Sequence, residues 1–520
     1  MEANPEPSPQ TQQSDESIAE RKLHIATLVL PSVRLLSSSI VPAMVACLVL
    51  TPPVALLGFV GFVLIPGLMH GWIRHRTVRF AFSEEALVVK SGWIERVQRE
   101  IPWNRIQEMK LEQPLAYRPF GLALIHATTA GQHEEEVRLD VVTMQQAERM
   151  LSTFSDSRPD QHTNVRAKPL TATADFECRL TLRDLVIGGM TSHLVAGIVG
   201  LASTLFYFQT AANSWLQAGD WLERVDPFSR LETALRRWFP DLGPFEGLAR
   251  FLLEDSLGKG LLYVGFGLVV SVLAFVCRFY DFRLRRNADQ LHIEHGLFAR
   301  KRHQMSRLRL QTVQTEEGLL RRCFGLASVY ADSAGDHQAQ ENRSKREVLL
   351  PIVSRSVASC VVENVFRGLS SENAAWRRPS PRTIGRGTRK GVMLVCLLIL
   401  PVAGWVPVAT LLALPACVVV YFLNRKWYEH SLYRVGRRYL VVRGGWLSRT
   451  TQFIPIAKVQ NLVVSRSPFD RRLGLASLRL DTAGQSNTGG GPKIRDLTMW
   501  VAIRLHRQLA SQIARQPFTW

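Results

Sequence analysis

The chain has 520 residues, too many for one ordinary domain. Its net charge of +20 admits either a nucleic-acid-binding surface or the positive-inside bias of a membrane protein, so the placement of the basic residues decides. None of its seven cysteines forms a CxxC pair, and four sit in apolar blocks, which argues against a zinc site or a disulfide framework.

In chain order, the Pro/Ser/Gln/Glu-rich start reads as a disordered acidic tail over 1–22, without the basic n-region of a signal peptide. An apolar stretch from Val33 to Trp72, broken by Thr51-Pro52-Pro53, predicts a transmembrane hairpin over 23–76. A polar domain follows over 77–155 and a Pro/Ser/Arg-rich linker over 156–178. Two further spans, Asp184–Phe208 and Gly260–Tyr280, predict a second hairpin over 179–280. Its loop, 209–259, is slightly acidic and carries Trp215, Trp221 and Trp238, suited to a headgroup belt. A second polar domain (281–368), a linker (369–390), a third hairpin (391–424) and a third polar domain (425–520) complete the chain.

Basic residues flank the outer ends of every apolar pair: Arg74 and Arg76, Arg179 and Arg183, Arg389 and Lys390, Arg425 and Lys426. The positive-inside rule then puts both termini and all three polar domains on the cytoplasmic side of the membrane. It also explains the net charge without nucleic acid, since no basic face interleaved with aromatics is present.

The polar domains repeat. Aligned on Gly92, Gly296 and Gly445 without a gap, Leu87 matches Leu291 and Leu440, and Arg96 matches Arg300 and Arg449. Gln107 falls on Gln311 and Gln460, and Arg118 on Arg322 and Arg471. The triplet from Gly121 meets those from Gly325 and Gly474, and Ala130-Gly131 meets Ala334-Gly335 and Ala483-Gly484. Chance would leave on the order of 0.2 such threefold identities. Each copy predicts a strand ending at the Gly turn, a second strand near Ile101, Met305 or Ile454, and a third from Ile106 or its equivalents. The Gly-Leu-Ala block opens another strand; a variable loop, a short strand and a helical tail follow. These elements amount to a small α+β domain.

The strand–GW–xx–R…IPxx(R/K)(I/V)Q…Rx(F/L)GLA…AG pattern, seen in copies one and three, resembles the bacterial pleckstrin-homology-like membrane proteins of the YdbS/YdbT type, in their multi-copy form, and the resemblance makes the expected membrane a bacterial inner membrane. That resemblance implies a PH-like fold for each domain: an antiparallel β sandwich or barrel closed by a C-terminal helix. The fold expected is therefore about six transmembrane helices in hairpins, alternating with three PH-like domains. Copy two departs from the pattern, with Leu297 for the Trp and Ser306 for the Pro.

Matched basic positions are the candidate contacts to anionic lipid or a protein partner: Arg96, Arg300 and Arg449, then Arg105, Arg309 and Lys458. Against this stands a scaffold role, each Arg packing its stem and bonding a loop carbonyl; the Arg of RxFGLA, beside a packing Gly, reads as structural. Trp93 and Trp446 read as packing residues. His133 with Glu134–Glu136 is a solvated loop, and TGGGPK lacks phosphate-loop spacing. No HExxH, GxSxG or paired-acid motif occurs, so neither a catalytic site, a metal nor a cofactor is expected. The expected function is a non-enzymatic membrane scaffold presenting three PH-like domains to lipid, to protein partners or to one another, with a role in envelope maintenance or stress response hinted at by the resemblance alone. The alternative is lipid or small-molecule transport through a six-helix bundle gated by those domains.

Overall fold

The structure, a computed structural model, describes 21–22, 26 and most of 68–156, 176–192, 256–333, 347–403, 413–482 and 491–515. Within these ranges, short stretches such as 83–85, 93–96, 104–105 and 130–135 fall outside the described residues. The chain divides into two compact units, Met1–Met305 and Ser306–Trp520.

In the first unit, β1 (Arg21–Lys22), β2 (Arg79–Phe82), β3 (Ala86–Ser91) and β4 (Val97–Pro102) form a four-stranded antiparallel sheet in that order. The chain then runs through β5 (Ile106–Pro114), β6 (Leu122–Thr129), β7 (Glu136–Thr143) and α1 (Met144–Asp156). Apolar residues recur along α1 at Ala147, Met150, Leu151 and Phe154, helical spacing for one buried stripe. That stripe meets Phe80, Leu87 and Ile101 of the first sheet and Met109, Ile125 and Leu139 of the second, in one core. Each such side chain, fully buried, contributes about 1.5–3 kcal/mol. Two sheets closed by a C-terminal helix are the arrangement the resemblance implies, and copy one has it.

After β8 (Phe176–Arg179) comes α2 (Leu182–Met190), opened by a capping box between Thr181 and Asp184, and then α3 (Ser256–Phe279). Gly189 lets α2 approach α3 so closely that a Cβ there would lie 2.6 Å from the Val272 Cα. Then follow β9 (Arg283–Asn287), β10 (Gln290–His295) and β11 (Ala299–Ser306). These strands extend the second sheet of copy one, giving the order β7-β6-β5-β11-β10-β9-β8.

In the second unit, the later half of copy two comprises β12 (Leu310–Glu317), α4 (Leu319–Cys323), β13 (Leu326–Ser333), β14 (Glu347–Ser354) and α5 (Arg355–Val365). The helices α6 (Arg382–Ala403) and α7 (Ala413–His430) pack on each other, with Gly391 against Val420. Copy three follows: β15 (Leu432–Val435), β16 (Tyr439–Gly444), β17 (Arg449–Pro455), β18 (Val459–Ser465), α8 (Pro468–Leu473), β19 (Leu475–Thr482), β20 (Lys493–Thr498) and α9 (Met499–Ala514). One sheet runs β14-β13-β12-β17-β16-β15, and β18-β19-β20 form another. Leu440, Ile454, Leu478, Leu480, Ala502, Leu505 and Leu509 share the core of copy three.

The expectation of about six transmembrane helices is overturned: among the described residues no helix is long and apolar enough to cross a membrane. Helices do pair at two of the three expected places, α2 with α3 and α6 with α7. But α2 has only nine residues. The first turns of α6 carry Arg382, Arg386, Arg389 and Lys390, and the last turns of α7 carry Arg425, Lys426 and Glu429. Among the described residues, the apolar part left in either helix is too short for a ~30 Å hydrocarbon core. Most of the first expected hairpin, the loop 209–255 and the turn 404–412 lie outside the described residues.

Arg386 ties α6 to copy three. Its guanidinium spans Asp470 at the start of α8 and Asp496 in β20, the latter at 2.6 Å. Asp496 is 1% exposed, and its burial pushes its carboxyl above the ordinary range despite Arg386. Burial also pushes Asp470 upward, but hydrogen bonds from Ser467 and Arg386 outweigh it, and that carboxyl ends below its ordinary value.

Candidate functional site: the seams between copies

Each internal copy boundary is a β seam. In the first unit β5 of copy one pairs antiparallel with β11 of copy two, setting Gln113 opposite Arg300, Glu112 opposite Lys301 and Glu108 opposite Met305. In the second unit β12 of copy two pairs antiparallel with β17 of copy three, setting Glu317 opposite Arg449, Gln314 opposite Gln452 and Val313 opposite Phe453. Under the gap-free alignment Gln113 and Glu317 are one position, and Arg300 and Arg449 another. The same pairing register therefore occurs in two separate units. The third strand of each later copy completes the second sheet of the copy before it, which satisfies an edge otherwise open.

A side-chain clamp accompanies each seam. Arg118 Nη2 donates to the Leu297 carbonyl at 2.5 Å, and Arg322 Nη1 donates to the Trp446 carbonyl at 2.5 Å. Donors and acceptors are again equivalent positions, since Leu297 and Trp446 each follow the turn glycine. That turn requires glycine. Gly296 and Gly445 have φ of 113° and 87°, and a Cβ would fall 2.0 and 1.9 Å from the carbonyl oxygens of Ala299 and Ser448. On the donor side Gly121 and Gly325, with φ of 60° and 65°, end the short helical turns that hold the two arginines. Ser306 and Pro455 both cap a 3₁₀ turn in extended backbone, so losing the proline in copy two leaves the local conformation intact.

Charge is distributed differently along the two seams. In the first, Lys301 meets Glu112 at 2.6 Å, His303 meets Glu108 at 3.4 Å, and Arg302 lies 3.5 Å from Glu294 and 3.6 Å from Glu148. The second concentrates cations. Glu317 takes a two-point contact from Arg355 and lies 3.9 Å from Arg449. Arg443 and Arg434 sit over the Trp376 ring at 4.8 and 5.3 Å. Burial, with Arg322 and Arg355 nearby, pushes Arg449 below its ordinary pKa. Burial and Arg449 do the same to Arg443. Burial is the larger cause of both shifts, and the neighbouring guanidinium groups add to it.

The candidate contacts fall unequally. Arg449 belongs to this basic seam. Arg300, exposed, lies 3.8 Å from Glu294 and faces solvent on the first seam. Arg309 and Lys458 each end a 3₁₀ turn before β12 or β18; burial first, then Arg309, lowers the Lys458 pKa. Arg96 and Arg105 lie outside the described residues, as do Gly131, Gly335 and Gly484. Gln107 lies in β5; Gln311 is buried in β12 and its amide donates to the Arg309 carbonyl at 3.5 Å. Gln460, in β18, is exposed. Gly92 and Gly474 share the left-handed backbone of their equivalents. Sequence reasoning missed the clamp: it assigned the RxFGLA arginine to local structure, and its threefold identity was the signal that it does something common to every copy.

Comparison with known proteins agrees with this threefold construction. The family model of the bacterial PH domain matches residues 25–158, 242–368 and 392–513. The chain belongs to the bacterial PH domain family. It is also similar to the UPF0699 transmembrane protein YdbT of Bacillus subtilis strain 168, at 20% identity over 433 residues, 80% of this chain and 81% of that protein. No solved structure matches. Each bacterial PH domain match begins upstream of the first strand of its copy and takes in apolar sequence before it.

Proposed function

We propose that the chain is a non-enzymatic, membrane-associated scaffold of bacterial PH domains, and that the basic seam of its second unit holds anionic lipid headgroups. The observation that carries this is the contact of Arg355 and Arg449 with the carboxylate of Glu317, with Arg322 and Arg443 near Arg449 and with Arg434 and Arg443 beside Trp376. Such a surplus of guanidinium groups is matched by phosphate, which arginine binds through two parallel hydrogen bonds. Membrane association is supported by the name of the Bacillus relative. PH domains commonly bind lipids and proteins, and headgroup binding fits that breadth. Transport through a helix bundle is not carried forward, because its six crossing helices are absent from the described residues.

The test is flotation of the full chain with vesicles of phosphatidylglycerol or of phosphatidylcholine, across a salt series. Preference for the anionic vesicles, weakened by salt, is expected. Changing Arg434 and Arg443 together to Gln should lower that binding on the order of ten- to thirty-fold, at about 1 kcal/mol per charge. Equal binding to both vesicle types, or no response to the double variant, would sink the reading.

A further inference from the structure

Two strands lack the partner that their equivalents have. β4 is the equivalent of β11 and β17, and β18 is the equivalent of β5 and β12. Inside the chain β5 takes β11 and β12 takes β17, yet among the described residues β4 and β18 are both edge strands. The loss shows in exposure. Gln314 of β12, paired with both β13 and β17, is 5% exposed, and Gln311 and Thr312 just before it are each 4% exposed. Their equivalents in β18 are Gln460 and Asn461, both exposed, and Val463, 40% exposed. Likewise Thr451 in β17 is 5% exposed, whereas its equivalent in β4, Gln98, is open to solvent.

The clamp is missing its other half as well. Arg471, equivalent to Arg118 and Arg322, is exposed and makes no side-chain hydrogen bond among the described residues. Its αL glycine, Gly474, has φ 66°, so the short helix that should aim it is built as in the other copies.

β18 is also unguarded. Natural edge strands are blunted by charge, proline or a covering element. VQNLVVS contains neither a charge nor a proline, and it shows an exposed valine.

We infer that β18 of one chain pairs with β4 of a second copy of this chain, head to tail, in the register that both internal seams use. That register sets Arg99 opposite Val463, Gln98 opposite Val464, Val97 opposite Ser465, Glu100 opposite Leu462 and Ile101 opposite Asn461. None of these pairs opposes like charges. Arg471, exposed on β18's side, is then free to donate to a backbone carbonyl of the second copy, as Arg322 donates to that of Trp446. The contact is heterologous, since each chain offers one edge of each kind, and so it propagates unless the assembly closes into a ring. It extends the scaffold reading but stands on the seams alone.

The full chain, purified in a mild detergent, is examined by light scattering over a concentration series, and by oxidative cross-linking of cysteine pairs against the wild-type background. The mass should rise with concentration in steps of one chain. Arg471→Ala should weaken association roughly tenfold, the scale of one charge-assisted hydrogen bond. Val463→Lys, at an exposed position, should abolish it while melting behaviour stays unchanged. Mixing Arg99→Cys chains with Val463→Cys chains should give a cross-linked dimer. Arg99→Cys with Val464→Cys should not, because a one-residue slip turns the side chain to the other face. A monomer at every concentration overturns the inference, as does association indifferent to both substitutions. A Val463→Cys chain that cross-links only to itself overturns it in favour of a two-fold β18 pair. Vesicle binding by a strict monomer would leave the lipid reading standing and remove this one.

Discussion

At the scale of single residues, arginine does different work at different depths. Arg118 and Arg322 reach backbone carbonyls of the next copy, whereas Arg386 neutralises two carboxylates, one of them almost fully buried. Arg386→Ala leaves the Asp496 charge buried without its cation and should cost about 3 kcal/mol near neutral pH. The pH dependence has a definite sign. Asp496 already titrates above its ordinary value, and losing Arg386 raises it further; a carboxyl so raised loses stability as pH climbs through its folded pKa. Asp470 is held low partly by Arg386, so the wild type alone loses that stabilisation on acidification. Both effects narrow the gap between variant and wild type as pH falls. Chemical denaturation of both proteins across acidic and neutral pH checks this, and a gap that widens in acid would refute it.

At the scale of elements, the strand order within a copy was legible from alternation and from the turn glycines. The first strand of each copy, β2, β9 or β15, was not anticipated, since short Arg-containing runs such as RLRRN carry no clean alternation. The seams were not anticipated either. A strand hydrogen-bonded on both sides buries its polar residues as readily as its apolar ones, so Gln314, paired with both β13 and β17, looks solvated in sequence and is not. Periodicity reports which face is wet, not which edge is taken. The Lys301–Glu112 pair crosses the first seam with both side chains partly exposed, so its contribution is small. Reversing Lys301 to Glu should destabilise by about 0.5–1 kcal/mol, and adding Glu112→Lys should restore most of it. Thermal melts of the two single variants and the double variant close that cycle; additive losses would mean the pair does not couple.

At the scale of the whole molecule, copies one and three each hold both sheets and a helix in one core, while copy two lends its halves to its neighbours. Stability in such a repeat is divided between units and their interfaces. A chain ended after residue 368 lacks β17, so β12 becomes an open edge. Amide hydrogens over 310–317 should then exchange at least tenfold faster than in the full chain, by mass-resolved exchange of peptides. Unchanged protection would show that the seam adds nothing to local stability. The membrane-crossing helices show where sequence reading overreached: apolar blocks and flanking charge are necessary for a span, but among the described residues they do not form a helix long and apolar enough to cross.

The β5–β11 seam has a consequence in time. A ribosome that has finished Pro114 has made one side of a sheet whose neighbour ends only at Ser306. At about 5–20 residues per second, the intervening chain takes on the order of ten to forty seconds to synthesise. Through that interval the nascent chain carries a finished domain with an unpaired strand. The seam thus makes the last step of folding of copy one wait on the birth of copy two, a schedule in which translation speed sets how long sticky backbone stays uncovered.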